Sequence, residues 1–248
     1  MTLRRRRREL APELRQVVTE SLSQWRSLDA LQQQRLQRVA ADLIDRVTWE
    51  ASRDFVLDDT VRGTIAGHAA LLAVGLPDPV YPLVHAIVVH PGTITMSGPR
   101  AGPIPGTVEN HPLPVLGHTS ARGPVFIAWD VAQHQAHHPE GGHNVVFHEF
   151  AHMLDAEDGT LDGTPRLRSP GQRDQWISVC RRHFDALRMG SGSELLSDYA
   201  ATRPSEFFAV CSEVFFTRGD ELCEQSPDLY AAFRDYYGQD PAHWDVHP

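Results

Sequence analysis

In the stretch VVFHEFAHMLD (145–155), His148 and His152 stand four residues apart and Glu149 directly follows the first. On an α-helix, residues i and i+4 lie on one face a turn apart, so both imidazoles can face a single ion. Glu149 falls about 100° further round, beside such an ion, where it can take a proton from a water activated there. The flanking Val145, Val146, Phe147, Phe150, Ala151 and Leu154 predict a buried helix, and buried imidazoles need partners. Backbone hydrogen bonds would satisfy two core histidines equally well. The apolar helical setting, together with candidates for a third ligand, favours a metal.

Two protein ligands do not make a catalytic zinc site; three plus an open position do. Asp158, six residues beyond His152, is one candidate. It would need a glycine three residues after the second histidine to turn the chain back, and Asp155 stands there. The later segment SDYAATRPSEFFAVCSEVFF offers Glu206 and Glu213. They share one helical stripe, about 10.5 Å apart along the axis, so one ion cannot be held directly by both. Glu206 follows Pro204 in a first helical turn, where a carboxylate also suits the helix dipole. The four histidines of HQAHHPEGGH (134–143) lie in what reads as a loop, a poor frame for a dedicated metal site.

The elements that position these residues are legible in outline. Leu14, Val17, Val18, Leu22 and Trp25 keep close to helical spacing, as do Leu28, Leu31, Leu36, Val39, Leu43 and Val47 in a second run reaching Trp49. A third helix follows, with Asp58, Asp59 or Thr60 as its N-cap and Gly75 near its stop; His68 reads as a packing residue within it. From Tyr81 the texture changes. VHAIVVHP, TITMSG and PVFIAWD read as strands, and the proline- and glycine-rich 101–124 as a loop-rich connection with room for a hairpin. Helices return at 171–189, 204–217 and 226–237.

A length of 248 residues suits one large domain or two small ones, and 41% apolar with 22% charged residues is ordinary globular composition. The net charge is −9, and removing the five charges of Arg4 to Arg8 leaves −14 for the rest. So acidic a body repels phosphate backbones, which disfavours direct nucleic-acid binding. The arginine run reads as a solvated tail. No apolar run is long enough for a membrane span, and the start of the chain does not read as a signal peptide. Cys180, Cys211 and Cys223 show no metal-type pairing and fit a reducing compartment, hence a cytoplasmic location.

NVVFHEFAHMLD taken with DYAATRPSEFFAVCSEVFF resembles the Mlc titration factor A family, bacterial zinc peptidases of the gluzincin type, which in turn look like the catalytic domain of anthrax lethal factor. The resemblance covers most of the chain. It implies an α+β zincin-like metallopeptidase domain (residues 76–248) with a small mixed sheet and an HExxH active-site helix, preceded by a helical N-terminal region (1–75). PVFIAWD would be the strand beside the cleft, its edge open to an extended substrate. Carried over residue by residue, it implies a Zn2+ held by His148, His152 and Glu206, Glu149 as general base, and Tyr199 as the hydroxyl stabilising the oxyanion. Asp155 is then expected to brace the site, and Glu213 to be structural. Where lethal factor has a second acid four residues after its ligand glutamate, this chain has Val210. The family's known behaviour also suggests two partners, a peptide or protein substrate and a Mlc-like transcriptional repressor. The alternative to a hydrolase is thus a non-proteolytic, regulator-sequestering module that keeps a zinc site. Intact Glu149 and Tyr199 favour hydrolysis, since a structural zinc needs neither.

Overall fold

The computed structural model describes residues 9–52, 55–92, 94–96, 100–101, 108–109, 113–115 and 123–244, with side chains placed outside 93–122. The arginine run Arg4–Arg8 lies outside these residues.

The N-terminal segment contributes α1 (Pro12–Glu20), α2 (Ala30–Arg46), β1 (Thr48–Ala51) and α3 (Asp59–Leu72). The first apolar run does not stay one helix. Leu22 turns extended at φ −111°, and a 3-10 turn over Ser23–Ser27 carries the chain to α2. Asp29 caps α2 by accepting from the backbone N–H groups of Leu31 and Gln32, while the Gln32 side chain bonds back to the Asp29 N–H. The second expected helix also ends early. Val47, Thr48 and Trp49 are β-branched or aromatic, and the chain leaves the helix at Val47 (φ −89°, ψ 141°) to form β1. The Arg46 guanidinium fixes that exit by donating to Asp42 and to the Val84 carbonyl, both at 2.8 Å.

The third helix, α3, is capped by Asp58, which accepts from the Val61 N–H, and is buried from Gly63 to Leu72. Gly63 allows α1 to cross closely, since a Cβ there would lie 2.6 Å from Val17 Cγ1.

The central sheet has the order β1–β2–β7, with β2 (Ala86–His90) paired in parallel to both β1 and β7 (Val125–Ala128). Between them, β3 (Ile94–Met96) pairs antiparallel with β6 (Leu113–Val115), and β4 (Arg100–Ala101) with β5 (Val108–Glu109). The expected mixed sheet thus takes the form of a parallel sheet plus two antiparallel ladders. The other residues of 102–122 lie outside the described residues.

After β7 the chain enters α4 (Trp129–His137), so the histidine-rich segment is helical up to His137 rather than a loop throughout. Asp130 in its first turn and the helix-favouring Ala132, Gln133, Gln135 and Ala136 account for this. The remaining helices are α5 (Val145–Asp155), α6 (Pro170–Arg188), α7 (Pro204–Thr217), α8 (Gly219–Gln225) and α9 (Pro227–Tyr237). Of the last four, only α8 is unforeseen.

Packing converges on α5. Phe147 meets His68 of α3 and Phe216 of α7, with ring centroids 5.4 and 5.5 Å apart, and Phe150 meets Tyr81 edge-on at 4.9 Å. Behind α7, Trp176, Phe208, Phe215, Phe233, Tyr236 and Tyr237 form an aromatic layer. Among the described residues no helix is long and apolar enough to cross a membrane.

Candidate metal centre

Every residue of α5 is buried except His148, which is half-buried. The helix is fixed at its start by Asn144, whose side-chain oxygen accepts the Phe147 N–H at 3.0 Å, and by Gln135 of α4, which accepts the Val145 N–H at 2.6 Å. Its partner α7 begins at Pro204, whose fixed φ and missing N–H suit a first helical turn. Gly163, at φ +78°, lets the loop after α5 press against that turn, since a Cβ there would sit 2.3 Å from the Pro204 carbonyl oxygen. The same Gly163 donates its N–H to Asp155 Oδ2 at 2.9 Å. Asp155 therefore ties the end of α5 to the loop touching the start of α7. Burial, partly offset by that N–H, pushes its carboxyl up to about 7.

The two elements bring three donor atoms together. Glu206 Oε2 lies 3.1 Å from His148 Nε2 and 3.2 Å from His152 Nε2, and one ligand atom from each residue falls within 4.8 Å of the others. Around a tetrahedral zinc with bonds of about 2.0–2.1 Å, neighbouring ligand atoms are about 3.3 Å apart, so the spacing and donor types fit that ion. Burial opposes the charge on both partners, but hydrogen bonding outweighs it. Contacts with Glu206 and Glu213 push His148 up to about 10, and the two imidazoles hold Glu206 well below the usual carboxylate range.

Asp158 is placed elsewhere. Its Oδ1 accepts from the Thr160 N–H and hydroxyl at 3.0 and 2.7 Å, and Arg173 lies 3.9 Å from its Oδ2. His68, the packing residue of the sequence reading, is buried, with Nδ1 donating to the Thr64 carbonyl at 2.9 Å.

Glu149 is only 3% exposed, and its charge acts on both His148 and Tyr199. Tyr199 sits in a 3-10 turn (Asp198–Ala201) just before α7, its ring centroid 6.0 Å from that of His148. It is 54% exposed, which leaves the ring open to an incoming molecule. Partial burial, then the charge of Glu206 and a hydrogen bond to it, holds the phenol well above its usual range, so it stays a proton donor at neutral pH.

Glu213, expected to be structural, lies against the site, whereas position 210 offers only the apolar Val210. Glu213 Oε1 accepts from His148 Nδ1 at 2.8 Å, so the imidazole spans the two turns between Glu206 and Glu213. The signal was the shared stripe of the two glutamates, with a ring between them long enough to touch both.

A His-Glu-x-x-His helix beside a small parallel sheet, faced by a carboxylate from a second helix, has the layout of a zincin-like metallopeptidase. The chain belongs to the family described as glucose-regulated metallo-peptidase M90, which it matches over residues 1–238. It is 32% identical over 238 residues to an uncharacterized protein of Synechocystis sp., covering 94% of this chain and 86% of that one. It is also similar to proteins named Mlc titration factor A. That of Serratia proteamaculans is 27% identical over 240 residues (91% of this chain, 90% of the relative), and that of Edwardsiella ictaluri 33% over 163 residues (63% and 61%).

Proposed function

We propose that this chain is a zinc-dependent peptidase in which His148, His152 and Glu206 hold the metal, Glu149 is the general base and Tyr199 the oxyanion donor. The observation that carries this reading is the meeting of two Nε2 atoms and one carboxylate oxygen at 3.1 and 3.2 Å, on helices separated by some fifty residues of sequence. Zinc bound there would supply Lewis acidity to a water and to the scissile carbonyl. Glu149 takes the proton from the attacking water and delivers it to the departing amine. Tyr199, kept protonated, donates its O–H to the oxygen on which negative charge develops. The outer edge of β7, which pairs with β2 on its other side, is the rail along which an extended substrate backbone would lie. The family and the three free thiols fit a cytoplasmic enzyme acting on peptides or proteins.

The relatives' name favours a second reading, in which the chain also binds, or chiefly sequesters, a Mlc-type repressor. Metal analysis of the purified protein, paired with peptide hydrolysis before and after chelation, tests the first. The expected result is about one zinc per chain, with hydrolysis lost on chelation and restored by zinc. A protein that holds zinc, cleaves no peptide and still captures a repressor of this type would favour the second.

A further inference from the structure

Glu213 is 5% exposed, in the third turn of α7, a helix whose Val210 and Val214 are buried as well. A buried carboxylate there is costly unless both oxygens are used. Both are. Oε1 accepts from His148 Nδ1 at 2.8 Å; Oε2 accepts the backbone N–H of Asn144 at 2.7 Å and lies 3.7 Å from His143 Nδ1. An ionised carboxylate only accepts, so the contact with Glu213 keeps a proton on His148 Nδ1 and makes Nε2, which faces Glu206 and His152, the nitrogen left for an ion once its own proton is given up.

We propose that Glu213 is a positioning residue for the metal centre: it fixes the tautomer and ring plane of His148 and ties both to the start of α5, presetting the donor atoms. One carboxylate thus couples the entry of one helix to the ligand geometry between two. The proposal rests on the metal-site reading above. A plain structural anchor would use only the Asn144 N–H, and the contact with His148 would then be incidental.

The test compares zinc dissociation constants, by chelator competition, for wild type, Glu213→Gln and Asn144→Ala. Glutamine keeps the size but cannot accept from both donors, and zinc binding should weaken roughly ten- to a hundredfold. Asn144→Ala removes the cap on Phe147 while leaving the Glu213–His148 contact, so it should lower the melting temperature with little change in zinc affinity. The long-range 1H–15N spectrum of zinc-loaded wild type gives an answer even if the glutamine variant fails to fold. It should show His148 bound through Nε2, with a hydrogen-bonded Nδ1–H. A wild type that takes up no zinc overturns the metal reading and this inference with it. If wild type binds zinc, then an unchanged constant in folded Glu213→Gln, or coordination of His148 through Nδ1, overturns this inference alone.

Discussion

At the scale of single residues, the site turns on His148 and Glu206. His148 turns one nitrogen to Glu213 and the other to Glu206, and His152 Nε2 meets the same Glu206 oxygen. The third-ligand choice can be tested by substitution. Glu206→Ala should lose most of its zinc because two imidazoles alone hold the ion poorly, whereas Asp158→Ala should retain it, its carboxylate being engaged with Thr160. Metal content of the two purified variants decides; the reverse pattern would move the third ligand to the loop after α5. Tyr199→Phe should keep zinc and substrate affinity but lower kcat roughly a hundredfold, the scale of one oxyanion donor, as read from a KM-against-kcat comparison. The grouping of His148, Glu149 and His152 was legible because one helix imposes a fixed spacing, whereas Glu206, on another helix, was expected as the third ligand only from the family resemblance. The double role of His148 was not legible, because it depends on how far apart α5 and α7 pack.

Among the elements, most helices were legible, but α4, α8 and the strand inside the N-terminal segment were not. Apolar spacing carries through Val47, so sequence periodicity alone extends α2 to Trp49. What ends it is pairing with β2, from Thr48 opposite Ala86 to Ala51 opposite Val89, a contact between residues nearly forty positions apart. The histidine-rich segment failed as a loop for the opposite reason, because its glycines and Pro139 lie beyond His137 and the preceding residues favour helix.

Helix α3 carries a consequence of its own. Burial pushes His68 down to about 4, with the Thr64 hydrogen bond only partly offsetting it. The unfolded chain therefore takes up a proton near pH 6.5, before the folded one does. The neutral ring's full contribution is present above pH 6.5 and is lost as the pH falls to about 4, a loss of about 3 kcal/mol. Urea unfolding of metal-free protein between pH 7 and 4 should show a steeper loss of stability in wild type than in His68→Gln; parallel slopes would contradict this.

At the scale of the whole molecule, the N-terminal helices and the site-bearing helices share one continuous core. Leu22, Leu28, Leu36 and Leu43 are all buried in it, and α3 lies directly against α5 through His68 and Phe147. Each buried leucine is worth roughly 1.5–3 kcal/mol, so the four together rival the ~5–15 kcal/mol by which a domain is stable. Deleting residues 1–52 should accordingly abolish the cooperative thermal transition seen by circular dichroism and expose apolar surface to a hydrophobic dye. A truncated protein that melts cooperatively would show that the remainder folds alone. If the deletion unfolds the chain, it cannot separate partner binding from hydrolysis, and a substitution that leaves the fold intact must do so. Glu149→Gln is that substitution, and peptide turnover by the zinc-loaded variant tests the central claim most directly. The account predicts about one zinc per chain and turnover reduced a hundredfold or more, the worth of a general base. Wild-type turnover by a folded, zinc-loaded Glu149→Gln protein would contradict it.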